Sequence, residues 1–322
     1  MSNKKPQFIV PAESSDRLDI FLATALEVSR SQVQKFIQDG MVLINGVVTT
    51  KNGQVLKEGD VVSMGEKSIT EDSADAFVPR TFLPIEILAE TDDYVVVDKP
   101  SGLLTHPTQA LEKESLAAWL LERYPKIATV GDSPERPGIV HRLDKEASGV
   151  LVVAKTQKMF DHLKKQFQDR TIIKEYSVLV HEVLEKDHGE LTFAIDRGTN
   201  GKMVARPLTD TLSLKTVLHV KEGKEAITEY WVEKRFTRYS LLRVRIHTGR
   251  THQIRVHFYA YNHPVVGDNL YFNKKLNRKR DQTLGRVFLH AEHLTFSDLE
   301  GKEISVTAKL PVALTNFLAD LN

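Results

Sequence analysis

The first fifth of the chain has the hydrophobic spacing of two short helices followed by a small sheet. Apolar residues recur at helical spacing at Leu18, Ile20, Phe21, Leu22 and Leu26, and again at Val33, Phe36 and Ile37. The Ser29-Arg30-Ser31 stretch supplies a cap before the second helix, and Gly40 ends it. Next, Asn45-Gly46 stands between short apolar runs, which is the strongest local signal for a β-hairpin. These patterns predict a compact module of two helices and a small sheet.

From residue 85 onward the pattern changes to short apolar runs that alternate with helical patterns. The predicted strands cover 94–97, 149–153, 176–180 and 241–246, and the predicted helices cover 116–124 and 158–167. Several strands follow one another between Leu191 and Ile246 without a helical pattern between them. This order predicts an α/β (α+β) domain with a mixed, mostly antiparallel sheet rather than a doubly wound parallel one.

The change of pattern also suggests where the chain divides. Residues 66–80 contain acids, small residues and Pro79 without any periodicity, which is typical of a solvated linker. We therefore expect a small α+β domain at 14–65, a linker at 66–80 and a larger domain at 81–322.

Composition narrows the classes of function. The chain has no cysteine, which excludes disulfides, thiolate metal sites and cysteine nucleophiles and fits a reducing compartment. No apolar run of about 18 residues occurs, and the first residues lack an apolar stretch of signal-peptide length. We expect a cytoplasmic monomer that does not engage a membrane.

A formal net charge of +1 hides a strong local asymmetry. Residues 234–286 contain 13 Lys or Arg but only two acids, Asp268 and Asp281, whereas residues 66–93 contain eight acids and two bases. The basic segment has two interpretations, a solvated face or a surface for a polyanion such as RNA.

One polar segment between apolar stretches contains a candidate catalytic residue. Gly138-Ile139-Val140 precedes His141-Arg142-Leu143-Asp144, and Gly149 then opens a buried strand, which would place Asp144 on a connection between rigid elements. By itself an aspartate near Arg and Lys is more often a surface or turn ion pair than a catalytic group. The complete string from 138 to 153, however, closely resembles the catalytic motif of the RluA family of pseudouridine synthases.

The same resemblance continues along the chain in the family's order. Further matching segments are Asp98-Lys99-Pro100-Ser101-Gly102-Leu103-Leu104, Lys174-Glu175-Tyr176, the run from Thr248 to His257, His263-Pro264, Gly267-Asp268 and Leu289-His290-Ala291. The module at 14–65 resembles the S4 domain, a small RNA-binding module, through Arg17-Leu18-Asp19, Ser29-Arg30-Ser31 and the run from Val42 to Gly46. Together these features are similar to the RluD or RluC type, which modifies large-subunit ribosomal RNA.

This resemblance implies a reaction and roles for three residues. Uridine becomes pseudouridine when the bond between ribose C1′ and base N1 breaks, the base turns while bound, and C5 joins C1′. The resemblance makes Asp144 the essential carboxylate, either attacking a carbon of the nucleotide or removing a sugar proton. It makes Arg255 the cation that keeps Asp144 ionised and Tyr176 the ring that stacks on the base, with a hydroxyl that could handle the C5 proton. Simpler alternatives are a phosphate contact for Arg255 and a core position for Tyr176.

A uridine inside folded RNA must be flipped out of its stack before a carboxylate reaches it. Arg142 is the candidate for filling the gap; its alternative is to brace the loop. Arg250 and His252 are predicted to contact phosphate or ribose, and His141, Arg17 and Arg30 are also predicted to bind RNA.

Two other chemistries are weaker interpretations. His247, His252 and His257 suggest a metal, but on a helix a spacing of five residues turns successive side chains by roughly 140°, so they would diverge. Hydrolysis by paired carboxylates would need a partner for Asp144, and only Glu146 is near in sequence. The hypothesis is a synthase without metal or cofactor that acts on structured RNA, most specifically on 23S ribosomal RNA or a pre-ribosomal particle. The alternatives are the same chemistry on transfer RNA, or an inactive RNA-binding assembly factor.

Overall fold

The computed structural model describes most of the chain in two compact units, Met1–Thr81 and Phe82–Asn322. The described residues are 7–11, 17–26, 28, 30–38, 40–49, 51, 53–64, 84–107, 114–198, 201–206, 223–276 and 279–321. The linker predicted at 66–80 lies outside them. No helix in these ranges is long and apolar enough to cross a bilayer.

The first unit folds as its hydrophobic spacing predicts. Its elements are β1 (Gln7–Ile9), α1 (Leu18–Ala25), α2 (Arg30–Gln38), β2 (Val42–Ile44), β3 (Val47–Val48) and β4 (Val61–Met64). The strands form an antiparallel sheet in the order β1-β4-β2-β3. Asn45 and Gly46 both have positive φ, 53° and 83°, as a tight hairpin turn requires. The apolar helix positions Leu18, Leu22, Val33 and Ile37 are fully buried and form the core of this unit with the sheet.

The second unit contains the remaining elements. They are β5 (Glu86–Glu90), β6 (Tyr94–Lys99), α3 (Leu116–Arg123), β7 (Ser148–Ala154), α4 (Gln157–Gln168), β8 (Ile173–His181), β9 (His188–Leu191), β10 (Ala194–Arg197), β11 (Met203–Arg206), β12 (Thr228–Phe236), β13 (Tyr239–Ile246), α5 (Gln253–Ala260), α6 (Lys279–Thr283), β14 (Leu289–Ser297), β15 (Glu303–Thr307) and α7 (Val312–Ala319). Every strand and helix that the sequence pattern predicts between residues 94 and 246 is present, with small differences at its ends.

A nine-stranded sheet organises this unit. Its order is β5-β6-β7-β14-β8-β13-β12-β9, and β15 pairs with β14. Only the β7–β14 pair is parallel among the pairs that the structure describes, so the predicted mixed, mostly antiparallel sheet is confirmed. β10 and β11 form a separate antiparallel hairpin.

The parallel seam lies at the centre of the sheet and requires a glycine. Gly149 pairs with Ala291 across it and has a φ of 121°. A Cβ atom at Gly149 would lie 2.2 Å from the Ala291 carbonyl oxygen, so no larger residue fits without moving a strand. β7 is buried along its whole length, so the loop that precedes it is anchored in the core.

Candidate active site

Asp144 lies on a loop, residues 141–147, that leads into β7 and is called the Asp144 loop below. Its carbonyl oxygens accept hydrogen bonds from the last residue of β6 and from residues just after it. Lys99 Nζ donates to Ala147 O at 2.8 Å, Ser101 Oγ to Glu146 O at 2.6 Å, the Gly102 amide to Lys145 O at 2.7 Å, and Thr105 Oγ1 to Leu143 O at 2.9 Å. These bonds hold the loop in one conformation, so the carboxylate of Asp144 is carried on a fixed backbone.

Lys99 is the buried anchor of this arrangement. Its ammonium has no exposed surface and donates to the carbonyl oxygens of Pro100, Leu103 and Ala147 at 2.8–2.9 Å. Burial lowers the Lys99 pKa to about 7, and the negative charge of Asp144 acts in the opposite direction. Three carbonyl acceptors compensate a cation that would otherwise be costly to bury.

Arg255, on the first turn of α5, reaches the Asp144 loop. Its Nη1 donates to Asp144 Oδ2 at 3.2 Å and to Glu146 Oε2 at 3.2 Å. Arg255 is 3% exposed and the Asp144 side chain 14%, whereas that of Glu146 is half exposed. The carboxylate of Asp144 therefore shares a largely dry contact with a cation 111 residues further along the chain.

The other two nitrogens of the Arg255 guanidinium, which form its two-point fork, bind a second carboxylate. Arg255 Nε donates to Asp268 Oδ2 at 2.6 Å, and Nη2 donates to Asp268 Oδ1 at 2.9 Å. Burial by itself would lower the pKa of Arg255, but the hydrogen bonds and charge of Asp268, with the charge of Asp144, raise it above its ordinary value. Asp268 Oδ1 also accepts the amides of Leu270 and Tyr271, so the fork is fixed to a backbone turn.

Tyr176 lies on β8 in the centre of the sheet. The residue is 7% exposed and lines the same cavity of about 90 Å³ as Asp144 and Arg255. Burial, and then the charge of Asp144, raises the pKa of the Tyr176 hydroxyl well above 10, so the hydroxyl stays protonated. The three residues that the sequence analysis assigns to catalysis thus meet in one cavity.

Three of the predicted RNA-contacting residues line that cavity as well. Arg142 is exposed, and its Nη1 lies 3.4 Å from His106 Nε2. Arg250 donates from Nε to the carbonyl of Glu225 at 3.0 Å. His252 precedes α5 in the left-handed conformation, with a φ of 54°, and its Nδ1 lies 2.9 Å from the Tyr271 hydroxyl.

His141 has a different environment from its neighbour Arg142. Its Nε2 accepts the Val152 amide at 3.1 Å, and its ring lies 4.7 Å from that of Phe167. Burial lowers the pKa of His141 to about 3, so the ring is neutral at pH 7 and protonated on Nδ1. In this conformation Nε2 is occupied by the protein backbone, and the ring fastens the Asp144 loop to β7.

Arg17 and Arg30 belong to the first unit and surround one buried carboxylate. Arg17 Nε donates to Asp19 Oδ1 at 3.1 Å and Arg30 Nη2 to Asp19 Oδ2 at 2.8 Å. Burial alone would raise the pKa of Asp19, but these hydrogen bonds, with one from Gln34, lower it below its usual range. Both arginines keep about half of their surface exposed, so each combines an internal ion pair with a cationic outer surface.

The three histidines considered for a metal lie in separate environments. His247 Nε2 lies 3.1 Å from Glu229 Oε2, and His257 Nε2 lies 2.9 Å from the carbonyl of Phe193. His252 contacts Tyr271 instead. These partners lie on different elements, so in the described part of the chain the three rings do not point at a common centre.

Sequence reasoning missed three residues that shape the cavity, namely Lys99, Asp268 and Tyr271. Signals were available for Lys99 and Asp268, because the run from Asp98 to Leu104 and Gly267-Asp268 are both among the segments that carry the resemblance. Gly267 has a φ of 74°, and a Cβ there would lie 2.0 Å from the Arg286 carbonyl oxygen, so this turn requires glycine. Such a constrained turn presents the following side chain, Asp268, in one direction.

Comparisons with known proteins agree on the family. The model of the RNA pseudouridylate synthase family matches residues 93–260, and that of the S4 domain matches residues 16–62. An RNA pseudouridine synthase of Aquifex aeolicus (strain VF5) is 43% identical over 82% of this chain and 79% of its own length. The ribosomal large subunit pseudouridine synthase D of Vibrio parahaemolyticus serotype O3:K6 (strain RIMD 2210633) is 33% identical over 95% of this chain and 92% of its own.

A solved structure shares the fold. Human RNA pseudouridylate synthase domain containing 1 superimposes with a TM-score of 0.57 and 24% identity, covering 73% of this chain and 87% of its own. The family match covers half of the chain, and the relatives span most of their own length, so the resemblance found in the sequence is confirmed. The chain belongs to the RNA pseudouridine synthase family, as an enzyme with an S4 domain at its N-terminal end.

Proposed function

We propose that Asp144 is the carboxylate on which isomerisation depends, acting on a uridine held between the Asp144 loop, β8 and the start of α5. One observation carries the proposal: Asp144 is paired with the buried Arg255 in a cavity that Tyr176 also lines. Arg255 Nη1 lies 3.2 Å from Asp144 Oδ2, so the site provides a counter-charge for the carboxylate that either proposed first step requires.

The other residues have roles that follow from their positions. Tyr176 keeps its proton, so its hydroxyl is a hydrogen-bond donor while its ring packs against the base. Arg142, exposed at the edge of the cavity, enters the space that the flipped uridine leaves in the RNA. During the reaction the bond from C1′ to N1 breaks, the bond from C1′ to C5 forms, C5 loses its proton and N1 gains one, so the composition of the RNA is unchanged.

Replacement of one carboxylate tests this assignment. Asp144→Asn keeps the shape of the side chain but removes its charge, so pseudouridine formation should fall to background while RNA affinity stays within about twofold of wild type. Release of tritium from RNA made with 5-tritiated uridine measures turnover, because the reaction expels the hydrogen on C5. Asp161→Asn, at an exposed position on α4, is the matched control and should behave as wild type. Turnover by Asp144→Asn would refute the proposal.

We further propose large-subunit ribosomal RNA, free or in a pre-ribosomal particle, as the substrate. Support comes from the Vibrio parahaemolyticus relative, named for the ribosomal large subunit, and from the S4 domain. Mapping of pseudouridines in total RNA from cells with and without the gene tests this choice. If the sites lost without the gene were confined to transfer RNA, the same chemistry on transfer RNA would be favoured. An unchanged map, with no tritium release from any RNA, would favour an RNA-binding assembly factor.

A further inference from the structure

A second cavity, of about 460 Å³, opens beside the one that holds Asp144. The two cavities share Arg142, Tyr176 and Arg250. The larger cavity is called the basic groove here because its lining includes five cations and no carboxylate, the cations being Arg136, Arg142, Arg170, Lys174 and Arg250. A concave surface of one charge beside a reaction cavity concentrates a polyanionic substrate there.

Lys174 differs from the other cations of the basic groove. It lies on β8 two residues before Tyr176, so both side chains point to the same face of the sheet. Its ammonium lies 5.5 Å from the centroid of the Phe167 ring, and no carboxylate of the described residues forms an ion pair with it. Burial, and then the positive charge of Arg170, lowers the Lys174 pKa to about 8. Within the described ranges, Lys174 is thus a partly desolvated cation with no carboxylate as its counter-charge.

The neighbouring charges explain why an anionic ligand fits this position. Glu175, the next residue on β8, is on the opposite face and accepts from Arg243 at 2.9 Å and from Arg245 at 2.7 Å. Arg170 is paired with Glu225 at 2.7 Å, but both side chains are about half exposed, so water screens that pair. The charge of Lys174 is left for a ligand, and a phosphate next to it would offset its desolvation.

We propose that a nucleotide adjoining the reacting uridine lies in the basic groove and that Lys174 binds its backbone phosphate. The inference rests on the proposed function, because the groove adjoins the reaction cavity and a continuous RNA chain must leave that cavity through a neighbouring space. Lys174 makes a binding contact and is not a catalytic residue. Its contribution appears in affinity and salt dependence rather than in the chemical step.

The test is a charge-removing substitution measured by RNA binding. Fluorescence anisotropy with a labelled oligouridylate of about twelve nucleotides gives Kd over a series of salt concentrations. Lys174→Met should weaken binding by about fivefold at low salt and reduce the slope of log Kd against log salt by about 0.7, the value for one phosphate on a single strand. Lys174→Arg should restore most of both. Lys302→Met, at an exposed turn position between β14 and β15, is the matched control.

Two further measurements keep the proposal falsifiable. Arg136→Gln removes an exposed cation of the same groove without disturbing the sheet, so it should also lower the salt slope if RNA occupies the groove. In turnover assays Lys174→Met should raise KM and leave kcat nearly unchanged. An unchanged slope in Lys174→Met, or a loss confined to kcat, would overturn the proposal, and an unchanged slope in Arg136→Gln as well would show that RNA does not occupy the groove. Asp144→Asn in the same assays separates the two ideas, because it should abolish turnover and keep the wild-type salt slope.

Discussion

Arg255 and Asp268 form a two-point ion pair, with N–O distances of 2.6 Å and 2.9 Å, and the third nitrogen of the same guanidinium reaches Asp144 at 3.2 Å. The orientation of the cation beside Asp144 is therefore determined by a carboxylate that is itself fully buried. Asp268 contacts Arg255 and not Asp144, so under the proposed function it is a positioning residue.

Asp268→Asn should damage both stability and turnover. Breaking a buried ion pair on one side costs about 3 kcal/mol of the free energy of unfolding. A guanidinium that is no longer oriented should lower kcat by about 100-fold, with a smaller change in KM. Denaturant unfolding and tritium release measure the two effects, with Asp161→Asn as the control. A folded Asp268→Asn enzyme with wild-type kcat would show that Arg255 does not need this partner.

Arg255→Lys separates charge from geometry. Lysine keeps a positive charge, but a single ammonium cannot make the two-point contact with Asp268 and also contact Asp144. We expect kcat to fall by about 100-fold in Arg255→Lys and further in Arg255→Gln, which also removes the charge. Single-turnover rates at saturating RNA compare the variants. If the single-turnover rate of Arg255→Lys equalled that of wild type, the positive charge alone would be sufficient and the two-point contact with Asp268 would not be required.

Tyr271→Phe tests the link between the cavity and the β10–β11 hairpin. The Tyr271 hydroxyl accepts the Met203 amide at 3.1 Å and lies 2.9 Å from His252 Nδ1, and the ring lies 5.5 Å from the Arg255 guanidinium carbon. Without the hydroxyl, the Met203 amide loses its acceptor, which costs about 1–3 kcal/mol locally. Faster hydrogen exchange at the Met203 amide, with little change in global unfolding, is the expected result. Equal exchange rates in the two proteins would contradict this link.

His141→Gln should make the protein less sensitive to acid. The folded pKa of His141, about 3, lies below the ordinary value of 6.5, so between these pH values the unfolded chain binds the extra proton. The stability that neutral His141 provides is complete above pH 6.5 and is lost as pH falls toward 3. Glutamine can still accept the Val152 amide without titrating.

Urea unfolding from pH 7 to pH 4.5 measures this effect. The slope of unfolding free energy against pH should be smaller in His141→Gln by up to about 1.4 kcal/mol per pH unit, which corresponds to one proton. His188→Gln is the control, because that ring is more than half exposed. Identical slopes for wild type and His141→Gln would show that this ring does not set the acid sensitivity.

Apolar periodicity predicted four strands and two helices of the second unit, because the burial of a strand or helix determines its local hydrophobic pattern. β7 and β8 are read directly from runs of buried aliphatic residues, and the meeting of Asp144 with Tyr176 and Arg255 agrees with the family resemblance. The parallel pairing of β7 with β14 could not be predicted from the sequence pattern. It joins segments about 140 residues apart, and the pairing register leaves little trace in either strand alone.

The contacts that the sequence did not reveal depend on backbone atoms or on distant chain segments. Asp268 could be recognised as part of a conspicuous turn, but its choice of Arg255 as partner follows only from the placement of α5. The bonds that Lys99, Ser101 and Gly102 make to the Asp144 loop end on carbonyl oxygens, which every residue possesses. Side-chain identity therefore cannot indicate them from the loop's side. The contact of His141 with RNA stays a prediction: its Nε2 accepts a backbone amide, and the residue also lines the basic groove.

The attachment of the Asp144 loop through its carbonyl oxygens has a consequence for how such enzymes can diversify. Exchange of an exposed side chain on the loop, as at Lys145, leaves the bond from the Gly102 amide to that residue's carbonyl in place. The position of the Asp144 carboxylate is thus largely independent of the chemical character of the loop's outer surface. Substitution of those outward side chains can therefore change the surface next to the cavity while the backbone that carries Asp144 stays in place.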